Sequence, residues 1–318
     1  MRRAARATQA LAAWGLRVQR LQGVSRGHAE VWRVWPHPPA ADLALRVYPP
    51  EAGTADALDA ELRLLLAAAD AGLHVPRPLA TTDGRWRVPQ VDGTQAVLLQ
   101  WLHGRQLWAG LRPLHLRQLG VFIARLHEVS SALIQQGAGP SRAAWGPDLA
   151  QLAKGPERLR QWCGAGVQRA VARAASRLQQ QLAQEPADPL HRGWIHGDLH
   201  PWNLLFQRGR AGAIDFSDGG WGFLAQDLAS ALQFVHHPLD DGVDHRAQAA
   251  RFEAALLDGY ASVRTLPPGW AAQLPMLGRL RMLSTVQWML SDWPAPTAST
   301  WGPGWLQALP GWLDEDGG

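Results

Sequence analysis

The sequence predicts an α+β protein built of two lobes, and three observations lead to this prediction. Short runs of alternating apolar and polar residues are concentrated in the first hundred residues. Farther along, apolar residues recur at the three- and four-residue spacing of helices. At 318 residues the chain is also long for one compact core. We therefore expect a small lobe with a mixed antiparallel sheet at 1–103 and a mainly helical lobe at 104–318.

Composition narrows the class of protein before any motif is considered. Hydrophobic residues make up 47% and charged residues 18%, as in ordinary globular proteins. The single cysteine, Cys163, excludes a disulfide within the chain and favours a reducing compartment, so we expect a cytoplasmic protein. No apolar run is long enough to span a membrane. The net charge of +4, without a dense basic run, gives no reason to expect a nucleic-acid partner.

The first lobe is predicted from its alternating segments and from one amphipathic stretch. Prolines at 49 and 50 end one strand, and the Asp83–Gly84 pair marks a hairpin turn. In chain order we expect a helix over 5–20, a turn between two strands at 21–28, strands over 29–35 and 42–48, a helix over 54–71, and a strand over 96–102.

The second lobe is predicted as helices around a short strand-rich segment at 194–216. The expected helices cover 113–129, 148–162, 166–184, 227–234, 245–260 and 268–292. Tryptophan is frequent, with 17 in the chain, and several lie near the C-terminus. Their rings could stack on a sugar or surround an ammonium group, but core packing is the commoner role. These C-terminal tryptophans are Trp288, Trp293, Trp301, Trp305 and Trp312.

The stretch at 194–216 carries the chemistry. Apolar strands alternate with polar residues, so that His196, Asp198, Asn203 and Asp215 fall at strand ends and in one loop. Such positions can converge on a single cleft. Phosphoryl transfer needs a carboxylate that orients the attacking hydroxyl, together with an Asn and an Asp that hold magnesium. The five-residue spacing from Asp198 to Asn203, followed later by an Asp-Phe pair, is the layout of a kinase catalytic loop.

The ordered motif resembles one family of enzymes. His-Gly-Asp-Leu-His-Pro-x-Asn at 196–203, Ile-Asp-Phe at 214–216 and Asp-Leu-Ala at 227–229 are similar to the aminoglycoside phosphotransferase and choline kinase group. That group comprises small-molecule kinases with a protein-kinase-like fold. Gly197, where protein kinases carry Arg, favours this group over protein kinases.

The resemblance implies an ATP (or GTP) donor, Mg²⁺ and a small-molecule hydroxyl acceptor. It implies that Asp198 is the base or the hydroxyl-orienting group, while His196 supports the loop. Asn203 and Asp215 would be the metal ligands, and Asp227 would brace the catalytic loop.

Candidate nucleotide contacts lie in the first lobe. Arg46 stands where kinases place the lysine that holds the α- and β-phosphates, but arginine prefers forked contacts. Glu61, on the next helix, is a candidate for the ion-pair partner of Arg46. A solvated charge on the helix surface is an equally good interpretation. Ser25 belongs to the glycine-containing turn expected above the phosphates. Backbone groups of Gln100 to Leu102 would hydrogen-bond adenine.

Three functional interpretations follow from these residues. The favoured one is a phosphotransferase for a sugar, an amino alcohol or a related metabolite. A strongly cationic aminoglycoside is disfavoured, because acidic residues near the C-terminal tryptophans are sparse. A protein Ser/Thr kinase would need an Ala-Pro-Glu element that does not follow Asp215. A non-catalytic nucleotide-binding module is suggested only by Arg46.

Overall fold

A six-stranded antiparallel sheet forms the first lobe. The strand order is β1-β2-β3-β6-β4, and β5 also pairs with β6. The computed structural model describes residues 2–26, 29–38, 41–50, 55–107, 110–139, 145–185, 191–236, 246–292 and 301–314. The strands are β1 (Val18–Arg26), β2 (Glu30–Pro36), β3 (Leu43–Tyr48), β4 (Pro78–Leu79), β5 (Val88–Pro89) and β6 (Gln95–Gln100).

The third strand of this sheet is buried on both faces, and each face has a different neighbour. Leu43, Leu45 and Val47 point to one face and pack in a cluster with α1 (Arg2–Leu11). Because side chains alternate along a strand, Arg46 points to the opposite face. Its neighbour there is α2 (Ala55–Asp70), the helix that carries Glu61.

The second lobe is mainly helical. Two antiparallel strand pairs, β7 (Arg192–Ile195) with β10 (Gly220–Phe223) and β8 (Leu204–Gln207) with β9 (Arg210–Ala213), lie within it. Its helices are α3 (Pro113–Gln135), α4 (Leu149–Ala153), α5 (Glu157–Leu182), α6 (Ala225–His236), α7 (Ala249–Ala261), α8 (Trp270–Asp292) and α9 (Gly302–Asp314). Among the described residues, no helix has the length and apolar character needed to cross a membrane.

The predicted fold class is confirmed, but two helix predictions were wrong. The helix expected over 5–20 ends at Leu11, and Gly15 then adopts a left-handed φ of 64°. Pairing with β2 instead draws the chain from Val18 onward into a strand. The helix expected over 148–162 is divided, because α4 ends at Ala153 and α5 begins at Glu157, whereas the break expected at 163–165 is present as a kink inside α5. Within α5, Gly164 alone departs from helical geometry (φ 84°, ψ 170°).

Candidate active site

The catalytic loop lies between β7 and β8. Its polar side chains are in direct contact, because the Asn203 amide nitrogen donates to the Asp198 backbone carbonyl at 3.0 Å and to Asp198 Oδ2 at 2.9 Å. The Ile214 N–H donates to the Asn203 carbonyl at 2.9 Å, which places Asp215 beside this pair. These contacts bring together three polar groups that are separated in the sequence.

A buried carboxylate from α6 holds the start of the loop. Asp227 accepts the backbone N–H groups of His196 at 2.9 Å and Gly197 at 2.8 Å. It also contacts His127 Nε2 at 3.1 Å, and His127 Nδ1 lies 2.9 Å from the Tyr260 hydroxyl. Burial lowers the pKa of His127, so the neutral ring can donate to Asp227 and accept from Tyr260. Asp227 is thus the centre of a buried network under the catalytic loop.

His196 is oriented by contacts on both sides of its ring. Its Nε2 lies 3.1 Å from the Ile214 carbonyl, and its Nδ1 lies 3.3 Å from the Asp198 backbone nitrogen. The ring also packs against Phe216, with centroids 4.4 Å apart. His196 is fully buried, and all of these contacts are structural.

Glycine at 197 satisfies two local demands at once. Its φ of 80° belongs to the left-handed region, where a Cβ is strained. A Cβ built there would also lie 2.2 Å from the Trp145 Nε1 atom. A bulkier residue at this position would displace the turn that presents Asp198.

Asp198 lies in an enclosed and strongly cationic setting. Arg281, on α8, donates through Nη2 to Asp198 Oδ1, and His200 Nε2 lies 3.2 Å from Oδ2. Burial opposes ionisation of this carboxyl, but Arg281 and His200 outweigh it and hold the pKa of Asp198 well below its usual range. Arg281 could not be predicted from the sequence, because nothing distinguishes it in a chain with 31 basic residues.

Asp215 is held in a strained and more open position. Its φ of 64° is uncommon for a residue other than glycine. One oxygen, Oδ1, accepts from Arg46 Nη2 at 2.7 Å and from the Ser217 hydroxyl at 2.8 Å. Packing around the carboxyl opposes ionisation, but Arg46 and Ser217 outweigh it, so the pKa of Asp215 is lowered. The side chain remains 45% exposed, so its other oxygen is available to a ligand.

Arg46 connects Asp215 to α2. Its Nη1 lies 3.6 Å from Glu61 Oε1, and the side chains of both residues are buried. The Tyr48 hydroxyl donates to the same Glu61 oxygen at 3.2 Å, and burial raises the pKa of Tyr48 well above its usual value. Glu61 is therefore not a solvated helix charge, which was the alternative that the sequence left open.

The oxygen atoms near Asp215 suit a magnesium ion that is shared with a nucleotide. The amide nitrogen of Asn203 is taken by Asp198, which leaves its carbonyl oxygen for a cation. Among the described residues, no group of three or more His, Cys, Asp or Glu side chains could enclose a metal alone. Mg²⁺ commonly takes one or two protein oxygens and completes its octahedron with phosphates and waters. Asn203 and Asp215 fit this pattern.

The remaining residues predicted to contact the nucleotide are Ser25 and the segment from Gln100 to Leu102. Ser25 lies in β1, while Gly27 and His28 of the expected phosphate turn are outside the described residues. At the end of β6, the Gln100 N–H donates to the Arg77 carbonyl at 2.8 Å and the Trp101 N–H donates to the Asp42 carbonyl at 3.0 Å.

The C-terminal tryptophans serve mostly in packing. Trp305 is buried, and Trp301 and Trp312 pack against the main core. Trp288 is 43% exposed, and Trp293 lies outside the described residues. Trp202, within the catalytic loop itself, is partly exposed and lies 5.3 Å from the His200 ring and 6.5 Å from the Trp301 ring.

Comparison with known proteins identifies the class. The model of the phosphotransferase enzyme family matches residues 20–266, and the chain belongs to this family. A homoserine kinase from Gluconobacter oxydans is 33% identical over 239 residues, which span 73% of this chain and 70% of the relative. The family confirms the predicted enzyme class, a kinase that phosphorylates a small-molecule hydroxyl.

Two solved structures share the fold over nearly the whole chain. Amicoumacin kinase in complex with AMP-PNP, Ca²⁺ and Ami has a TM-score of 0.79 at 17% identity, covering 98% of this chain and 96% of that one. The microcompartment-associated aminopropanol kinase has a TM-score of 0.71 at 24% identity, covering 98% and 94%. At these identities the likeness establishes the fold. A nucleotide donor and a divalent cation are characteristic of this class of reaction.

Proposed function

We propose that this enzyme transfers the γ-phosphoryl group of ATP, with Mg²⁺, to the hydroxyl of a small amino alcohol or hydroxy amino acid. The observation that carries the proposal is the direct contact of Asp198 with Asn203, with Asp215 alongside. A hydroxyl-orienting carboxylate and two oxygen ligands for a cation are the protein groups that phosphoryl transfer requires.

Asp198 would act by orienting the acceptor hydroxyl. Its pKa is held well below its usual range, so the group stays ionised and can accept a hydrogen bond from the hydroxyl while remaining a weak proton acceptor. This suits a loose transition state, in which the attacking hydroxyl keeps its proton until late. His196 would take no part in proton transfer, because both of its ring nitrogens are engaged in holding the loop.

The nucleotide would lie between the lobes, whose boundary we place at 103/104. Asn203 and Asp215 would hold Mg²⁺, which neutralises charge on the phosphates. Arg46, fixed by Glu61, would contact the phosphates in place of lysine. The Gln100 carbonyl and the Leu102 N–H, which share one edge of an extended segment, would receive adenine. Ser25 would lie near the phosphates.

Homoserine is the first acceptor to test, because the relative from Gluconobacter oxydans is a homoserine kinase. An amine on the acceptor could lie against the exposed Trp202 ring, which neighbours Asp198 through His200. A protein substrate fits poorly, since Asp215 is followed closely by β10 and α6, which leaves little chain for a peptide-binding segment. The non-catalytic alternative loses its basis, because Arg46 keeps the ion pair that lysine would make.

Thermal shift with ATP or GTP, with and without Mg²⁺, tests the nucleotide and metal assignments. A ligand that binds only the folded state at a hundredfold excess over Kd stabilises it by about 2.7 kcal/mol. We expect a Mg²⁺-dependent shift with ATP that Asp215→Ala reduces strongly. Asp83→Ala, at an exposed hairpin turn, is the matched control and should keep the shift. No shift with either nucleotide would refute the proposal.

A further inference from the structure

The ion pair between Arg281 and Asp198 is unusual for its burial. Their side chains are only 12% and 14% exposed, and they come from segments 83 residues apart. Removing two charges from water costs several kcal/mol per ion, so such a pair is weak evidence of a stabilising role. Its position on the hydroxyl-orienting carboxylate suggests a role in acceptor binding instead.

The guanidinium of Arg281 has unused hydrogen-bonding capacity. Arginine presents five N–H donors. Within the described part of the chain, the Arg281 side chain makes one hydrogen bond, to Asp198, and its Nε is buried without a partner. A buried charged donor without an acceptor is costly, so an additional anionic partner would stabilise this side chain.

The free position on Asp198 lies next to that guanidinium. Asp198 Oδ2 already accepts from Asn203 and contacts His200, whereas the one donor to Oδ1 within the described ranges is Arg281. A carboxylate oxygen accepts about two hydrogen bonds, so Oδ1 has one site left for the acceptor hydroxyl. An acceptor bound there has its neighbouring atoms beside Arg281. An anionic group three or four bonds from the hydroxyl could reach the guanidinium.

We propose that Arg281 binds a carboxylate of the acceptor, so that the enzyme selects a hydroxy acid, such as a hydroxy amino acid, over an amino alcohol without a carboxylate. This inference rests on the proposed function and adds the substrate class and the residue that recognises it. Arginine suits this role because its planar fork matches the geometry of a carboxylate.

Homoserine and 3-aminopropan-1-ol form a matched pair of acceptors, because they differ only by the carboxylate. We expect the wild-type kcat/KM to favour homoserine by at least about tenfold, as a charge-assisted hydrogen bond is worth that factor or more. Arg281→Gln should remove this preference, mainly by loss of activity with homoserine, while the KM for ATP stays unchanged. Arg281→Lys retains the charge and should restore part of the preference.

Arg177→Gln is the matched control, since Arg177 pairs with Asp314 on an exposed surface. It should leave the ratio of the two acceptors as in the wild type. A ratio that Arg281→Gln does not change would overturn the proposal and leave the pair a structural contact. A raised KM for ATP with an unchanged ratio would also overturn it, and would assign Arg281 to the nucleotide.

The proposed function can fail separately from this inference. Transfer to neither acceptor by the wild type would count against homoserine-type acceptors, and binding would then decide the role of Arg281. Thermal shift with AMP-PNP and Mg²⁺ would compare stabilisation by the two compounds. Stabilisation by homoserine alone, abolished in Arg281→Gln, supports a carboxylate site. Equal stabilisation by both, or none by homoserine, overturns it.

Discussion

The two halves of the active site each pair a carboxylate with an arginine, but they differ in enclosure. On the side proposed for the nucleotide, the Asp215 side chain accepts from Arg46 and is 45% exposed. On the side proposed for the acceptor, the Asp198 side chain accepts from Arg281 and is 14% exposed. Arg46 is itself anchored by Glu61, whereas Arg281 pairs with Asp198 alone among the described residues; the Nε atom of each arginine is buried there without a partner.

This difference indicates which pair must rearrange when substrates bind. Asp215 can accept a cation at its open edge while Arg46 stays fixed to Glu61. Asp198 is surrounded by donors, and a substrate that reaches it must share or replace them. We therefore propose that the enclosed half controls which acceptor is used, and that the open half binds a ligand common to all acceptors, the metal–nucleotide complex.

The largest effect is expected from Asp198→Asn. The amide still accepts a hydrogen bond but loses the charge that orients the hydroxyl, and kcat should fall by about 10² to 10⁴. ATP binding, measured by thermal shift, should persist because the nucleotide side is untouched. Loss of ATP binding in this variant would show that the two halves are not separable.

Removal of the loop support should cost stability. Asp227→Ala leaves the backbone N–H groups of His196 and Gly197 without their buried acceptor, and we expect a loss of about 3 to 5 kcal/mol in the free energy of unfolding. Denaturant unfolding measures it. Asp83→Ala, at an exposed site, should change stability by less than about 0.5 kcal/mol. A similarly small change at Asp227 would contradict the role of the network.

Arg46 tests the open half. Arg46→Ala leaves Glu61 and Asp215 without their shared cation, and kcat/KM for ATP should fall by about 10² to 10³. Arg46→Lys keeps the charge but cannot fork between both carboxylates, so we expect a loss within about tenfold. Arg85→Ala, in an exposed ion pair with Asp83, is the control. Equal losses in the Lys and Ala variants would mean that fork geometry, rather than charge, decides the function.

The smallest effect concerns pH. Burial lowers the pKa of His127 in the folded state, so below about pH 6.5 the unfolded chain binds more protons than the folded one. The contribution of His127 to the free energy of unfolding is therefore present above that pH. It is lost as the pH falls through the pKa of His127 in the folded state. His127→Asn should flatten this part of the stability–pH curve. Tyr260→Phe, which keeps the His127–Asp227 contact, should retain the pH dependence of stability in this range.

Local patterns predicted the fold class and most elements of the first lobe. The strands at 29–35 and 42–48 and the helix at 54–71 agree with β2, β3 and α2 to within one or two residues. The helix at 5–20 failed because the chain turns at Gly15 and pairing with the next strand, β2, overrides helical periodicity from Val18 onward. The helix at 113–129 was too short, since α3 extends to Gln135.

The sequence by itself determined the polar residues of the candidate active site, because Asp198, Asn203 and Asp215 are close along the chain and their spacing reflects local backbone geometry. Only the tertiary structure decided what surrounds them. The partners of Asp198 and Asp227 come from helices 83 and 100 residues away. Which arginine or histidine reaches a carboxylate depends on how whole helices pack, and a chain with thirty-one basic residues offers many equivalent candidates.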